Sequence, residues 1–240
     1  AMVYMIYNIL KETGDFAYST GGKLKKVMCA GARLDENVNK IFDKYNMRVY
    51  VAYGLTECSP CVSMSSERFY KYNSVGKILP CCDVKIYDEE IYVSGSIVMM
   101  GYYGALCDTQ NILKDGWLAT GDLGYIDQDD FLFLTGRKNN LIVWDSGLKM
   151  QPEPYEQCIL NIEGVREVLI LQSSENPSKF EVQLFVDKEK CAFIECKVKE
   201  VFKGTKYYSY LGGIHFRESE FIKNKLGKIV RDSNYLADII

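Results

Sequence analysis

Residues 48–60 read RVYVAYGLTECSP, and the reading of this stretch decides the fold. Val49, Tyr50, Val51 and Ala52 form an apolar run of the kind that enters a core as a strand. The run gives way directly to Tyr53, Gly54, Thr56 and Glu57, which set an aromatic face, a hydroxyl and an acid within a few residues. A strand that ends this way is a candidate ligand end.

Working outward, residues 2–12 are apolar at helical spacing, and GDFAYSTGG (14–22) breaks that pattern. LKKVMCAGA (24–32) reads as a strand running into a small-residue turn. LDENVNKIFDKYN (34–46) predicts an amphipathic helix with Leu34, Val38, Ile41 and Phe42 on one face. Helix, strand, helix, strand is the pattern of a parallel α/β sheet, and ligands of such sheets bind at the carboxyl ends of strands. The CAGA and YGLTE turns both occupy that position.

After about residue 73 the character changes. DVKIYD (83–88), EIYVSG (90–95), GYIDQ (124–128) and FLFLTG (131–136) predict short antiparallel strands of a small sheet or barrel. LIVW (141–144), VREVLILQ (165–172) and KFEVQLFVD (179–187) read as strands, with helices at PEPYEQCILN (152–161) and CAFIECKVKEVFK (191–203). These last hundred residues predict a compact α+β unit joined by a tight hinge near Gly136 to Asn140.

Composition bounds the function. Lys and Arg number 29 against 32 Asp and Glu, a formal charge of −3 that indicates no broad nucleic-acid surface. No apolar stretch approaches the ~20 residues of a membrane helix, and the first residues lack a basic signal-peptide region. Nine cysteines, an odd number, argue against a disulfide framework and for a reduced, cytoplasmic setting. Cys58 and Cys61 form C-x-x-C, but Cys81-Cys82 lacks ligand spacing and His215 is the one histidine, so plain thiols are the better reading than a metal or redox site.

Four segments carry the chemistry: YGLTE (53–57), GWLATGDLGYID (116–127), FLFLTGRKNNLIV (131–143) and NKLGKIVR (224–231). Singly, TGD is a glycine turn with a solvated acid, GRK a basic loop and LGK a tail with a solvated lysine. Together and in this order they resemble the adenylate-forming superfamily of acyl-CoA synthetases, luciferase-like enzymes and peptide-synthetase adenylation domains. The resemblance runs from about residue 24 and, through GRKNNLIV and DSGLKMQPEPYE (145–156), is nearer to long-chain fatty acyl-CoA synthetases than to luciferases.

That resemblance implies an α/β plus α+β protein. Residues 1–136 would be the end of the large AMP-binding domain, and 137–240 the small mobile domain. It implies activation of a carboxylic, fatty acid with ATP and Mg²⁺ to acyl-AMP, then transfer to CoA; a separate acyl carrier protein is the alternative acceptor. Nothing supports contact with a membrane surface or nucleic acid. Tyr53 would stack on adenine, with Gly54 in the same motif, while Thr56 would contact phosphate and Glu57 would bind Mg²⁺. Ala30, Gly31 and Ala32 would form the adenine-binding strand end. Asp122 would hold the ribose hydroxyls, Arg137 ribose and phosphate, and Lys228 the substrate carboxylate and α-phosphate. Asn139 takes the hinge position, usually aspartate or lysine, and Gly147 lines the pantetheine path.

There are departures. Pro154 stands where an acid is usual, and Ile222 where proline is usual. The family's glycine-rich phosphate loop has no convincing counterpart, since YSTGGKLKK (18–26) lies too near the adenine turn and reads as a surface loop. The chain therefore looks like the C-terminal portion of such an enzyme, with apolar surface left exposed, and a non-catalytic nucleotide- or partner-binding remnant is the competing reading. LGGIHF (211–216) lacks the serine of a carrier domain, and its two glycines read as a turn after YYSYL.

Overall fold

A computed structural model describes residues 2–31, 34, 36–224 and 229–231, with backbone alone at 2, 4, 19, 36, 37 and 188. The backbone divides into two compact units, residues 1–134 and 135–240.

The first unit opens with α1 (Met2–Thr13), α2 (Phe16–Thr20), β1 (Lys26–Ala30), α3 (Glu36–Lys44) and β2 (Arg48–Tyr53). β1 and β2 pair in parallel from Lys26 opposite Arg48 to Ala30 opposite Ala52, so their carboxyl ends finish side by side. β3 (Ser63–Met64) and β4 (Lys77–Ile78) extend this sheet antiparallel beyond β2. Val3, Ile6 and Leu10 of α1 meet Val38 and Phe42 of α3 over Cys29, Met47 and Val49. The predicted face of α3 is the one packed: Val38 and Phe42 are fully buried, Leu34 and Ile41 partly. The break read at GDFAYSTGG is instead α2, because Asp15 accepts the Tyr18 N–H at 2.9 Å and Gly21, at φ +68°, closes the turn. Residues 21–23 and 25–26 beyond it are exposed.

The rest of the first unit is β5 (Cys82–Tyr87), β6 (Glu90–Gly95), α4 (Leu106–Ile112), β7 (Leu113–Lys114), β8 (Trp117–Ile126) and β9 (Leu132–Arg137), whose last residues pass the unit boundary. The strands form a sheet in the order β5-β6-β8-β7, with β9 also on β8. Ile91, Val93, Leu118 and Leu132 of this sheet share a core with Val51, Tyr53, Cys58 and Val62. α4 was not expected: LCDTQNI carries no apolar stripe, and of its residues Thr109 is the buried one.

The second unit contains β10 (Ile142–Val143), β11 (Lys149–Met150), α5 (Glu153–Leu160), β12 (Val165–Gln172), β13 (Phe180–Val186), α6 (Cys191–Phe202) and β14 (Leu211–Arg217). β12 pairs antiparallel and β14 parallel with the central β13. Ile194, Val198 and Phe202, four apart on α6, pack with Ile159 of α5 on Val168, Ile170, Val182 and Leu184. The turn expected at Gly212-Gly213 is in fact the start of β14. Leu211 pairs with Phe180 and Gly213 with Glu181, so Gly212 is the extra residue of a bulge. A side-chain Cβ there would lie 3.0 Å from Lys179 Cβ and 3.2 Å from the Phe180 carbonyl oxygen. Among the described residues, no helix is long and apolar enough to cross a membrane.

Candidate functional site

At the end of β2 the chain doubles back over itself. Val62 N–H donates to the Tyr53 carbonyl at 2.8 Å, and the Pro60–Cys61 backbone crosses directly above Gly54. A Cβ on Gly54 would sit 1.9 Å from the Pro60 carbonyl oxygen, so only glycine fits. Between the two arms, Thr56–Cys58 makes a single 3-10 turn, closed by Ser59 at φ +50°. Cys58 points into the core, where burial pushes its thiol up to about 12. Thr56 is exposed and Glu57 half-buried. A buried anchor and a backbone crossing thus present a hydroxyl and a carboxylate at the strand end.

Asp122 reaches the same strand end from β8. Ala119 pairs with Tyr92 and Leu123 with Glu90, which leaves four steps of β8 against two of β6. TGD is therefore a bulge inside a continuous strand, with Gly121 at φ +70°, and not a solvated turn. Buried Glu90 pins it by accepting the Gly121 N–H at 3.1 Å, and Thr120 donates to the Ile91 carbonyl at 2.8 Å. The bulge turns Asp122 inward, 7% exposed, where its Oδ2 accepts the Tyr53 hydroxyl at 2.9 Å. Burial first, and the Asp122 charge second, raise the Tyr53 phenol, which stays a neutral donor. Tyr53 is itself 7% exposed, so its ring is largely enclosed.

Of the other first-unit positions, Ala30 ends β1 beside Ala52, Gly31 follows at φ +72°, and Ala32 lies outside the described residues. In the second unit, exposed Arg137 ends β9 and Asn139 sits in the 3-10 turn Lys138–Asn140. Asn140 donates to Glu153 Oε1 at 2.6 Å, and a Cβ on Gly136 would meet Glu153 Oε2 at 2.9 Å, so α5 abuts this turn. Gly147, at φ +78°, closes the β10–β11 hairpin by donating to the Trp144 carbonyl. Lys228 lies outside the described residues, but its neighbours are held. Val230 N–H donates to the Ile222 carbonyl at 2.9 Å, and Arg231 pairs with buried Glu156 while donating to the Ile170 carbonyl at 3.2 Å. Sequence reasoning missed Glu90 and Glu156. The available signal for Glu156 was a carboxylate on the packed face of α5, whereas Glu90 opens β6 straight after Asp88 and Glu89 and gave no signal.

The donor set suits a phosphate-bound hard cation. A hydroxyl and a single carboxylate are the few protein oxygens Mg²⁺ uses when phosphates and water supply the remainder. Among the described residues, no group of three or more His, Cys, Asp or Glu is placed to hold a metal by itself.

The AMP-binding enzyme family matches residues 1–103. A long-chain-fatty-acid–CoA ligase of Salmonella typhimurium is 33% identical over 192 residues, 75% of this chain and 34% of the relative. Its namesake from Yersinia pestis is 29% identical over 248 residues, 95% of this chain and 43% of the relative. This chain belongs to the AMP-binding enzyme family. The fold of this chain is also found in a solved structure. Bacillus subtilis O-succinylbenzoate coenzyme A synthetase, in complex with ATP and magnesium ion, matches at a TM-score of 0.78 and 24% identity, over 98% of this chain and 50% of the other. The AMP-binding chain thus spans about a third to a half of the length of these relatives.

Proposed function

We propose that the chain supplies the nucleotide and metal side of an AMP-forming acyl-CoA ligase, which activates a long-chain fatty acid with ATP and passes the acyl group to CoA. The observation that carries this is the convergence at the β2 carboxyl end: Tyr53 bonded to Asp122, with Thr56 and Glu57 presented on the following turn. Asp122 binds the ribose hydroxyls, and the Tyr53 ring, fixed by that bond, forms the wall beside adenine with Ala30, Gly31 and Ala32 behind it. Thr56 donates to phosphate and Glu57 holds Mg²⁺, which when bound neutralises phosphate charge. Arg137 assists at ribose and phosphate. Lys228 offsets the charge that develops as the acid meets the α-phosphorus. Asn139 serves as hinge and Gly147 borders the thiol's approach. In this reading residues 1–136 are large domain and 137–240 mobile domain, working in the cytoplasm.

A second reading, binding of nucleotide without catalysis, is favoured by one observation: the glycines of YSTGGKLKK end α2 and run exposed into β1, with no phosphate loop formed there. Acid-dependent ATP–pyrophosphate exchange over fatty acids of graded length separates the two. The ligase reading expects exchange in the protein that carries this chain, its loss in Lys228→Ala, and retention of thioester formation from supplied acyl-AMP. Unimpaired exchange in Lys228→Ala overturns the role of that lysine; exchange absent from wild type favours the second reading.

A further inference from the structure

The loop between β6 and α4 packs Ile97, Val98 and Met99 on the core, but Met100 and Tyr103 beyond them are fully exposed. Polar bonds and one glycine hold this second part. Met99 N–H donates to the Glu57 carbonyl at 2.8 Å, which lashes the loop to the turn after β2. Tyr102 N–H donates to Thr109 Oγ1 at 2.8 Å, and that hydroxyl donates to the Ala105 carbonyl at 3.0 Å. Gly101, at φ +148°, permits this fold-back, because a Cβ there would lie 2.7 Å from Thr109 Cγ2. Every one of these constraints bears on the placing of Tyr102. Tyr102 is 40% exposed, and its hydroxyl donates to Glu57 Oε1 at 2.6 Å.

We propose that Tyr102 is a positioning residue for the cation-binding carboxylate: its hydroxyl holds Glu57 Oε1, so that the carboxylate offers its other oxygen, Oε2, to a divalent cation. The proposal rests on the reading of Glu57 as the metal ligand. Among the described residues Oε2 has no hydrogen-bond partner, which leaves it available. Hydrogen bonds to a ligating carboxylate fix its orientation, and their loss typically costs about 10–100-fold in metal affinity. The bond to Glu57 also raises the Tyr102 phenol to about 12, so the donor proton is retained throughout the physiological range.

The test is Mn²⁺ binding to the protein that carries this chain, followed by electron paramagnetic resonance with a non-hydrolysable ATP analogue present and Mg²⁺ as competitor. Tyr102→Phe keeps the ring and removes the hydroxyl, and is expected to weaken Mn²⁺ about tenfold with an unchanged urea midpoint. Glu57→Gln is expected to weaken it at least as much, and the double variant no further than Glu57→Gln alone. Thr109→Val, which removes the bond to the Tyr102 N–H but leaves the Tyr102 hydroxyl and the Glu57 carboxylate in place, is expected to give a smaller loss. Normal Mn²⁺ affinity in Tyr102→Phe, with affinity lost in Glu57→Gln, overturns the positioning role alone. Normal affinity in Glu57→Gln, or none in wild type, overturns the reading of Glu57 beneath it.

Discussion

In the second unit a large cluster of buried side chains, from Trp144 and Phe180 to Val198 and Phe202, joins both helices to one face of the sheet, and a small one joins Leu169 to Phe221. In the first unit the buried residues divide into two clusters, and parallel strand β1 leaves Met28 54% exposed. To its apolar clusters the first unit adds backbone crossings and pinned polar groups. Gly54 lies under Pro60, Gly76 against Met64 and Gly124 against the Phe133 carbonyl, each too close for any side chain. Glu90 fixes the β8 bulge, and Ser65 bonds both the N–H and the carbonyl of Val51. Both units are secured by apolar volume, and the first adds contacts that depend on particular residues at particular angles.

Each unit carries its own reporter, since the chain's two tryptophans divide between them: Trp117 in the first, beneath the Lys85 ammonium, and Trp144 in the second. Phe202→Ala empties the centre of the second unit and is expected to cost about 3–5 kcal/mol. The loss is read from Trp144 emission during urea unfolding in a Trp117→Phe background. An equal shift at Trp117, in the converse background, would break the contrast by showing one cooperative structure. Gly54→Ala should act the other way round, costing about 1–3 kcal/mol through overpacking and moving the Trp117 transition. Were it neutral, a backbone crossing would not be what sets the YGLTE turn.

The smallest effect is electrostatic and belongs to the turn between β8 and β9. Asp127 accepts from Lys71 Nζ at 2.5 Å and from the N–H groups of Phe131 and Asp129. The Lys71 hydrogen bond, first of these causes, holds its carboxyl below the usual range. A carboxyl lowered by folding contributes stability above its unfolded pKa, and that contribution is lost as pH falls through the lower folded value. The Trp117 transition should therefore weaken on acidification below about pH 4. Asp127→Asn should flatten that dependence and leave the Trp144 transition alone.

What could be read in advance follows the same division. α3 and α6 were legible because Val38 with Phe42, and Ile194 with Val198 and Phe202, repeat at helical spacing. The strand ends at Ala30 and Tyr53 were legible because apolar runs stop abruptly at small and polar residues. Glycine misled where it serves a bulge: Gly121 and Gly212 each read as a turn, because a bulge and a turn ask for the same small residue. Tyr102 could not be found at all. Its partner Glu57 lies 45 residues away, and no local pattern encodes a bond between a loop and a distant turn.

For anyone redesigning this protein, the crossing over Gly54 separates what can vary from what cannot. The path from Tyr53 to Val62 is shut by main-chain atoms over Gly54 and by buried Cys58, so Thr56 and Glu57 between them inherit fixed anchor points. A library confined to Thr56 and Glu57 would therefore sample new ligand chemistries on an unchanged frame. An insertion of a single residue in the same interval would have to lift Pro60 off the strand, and selection should discard it.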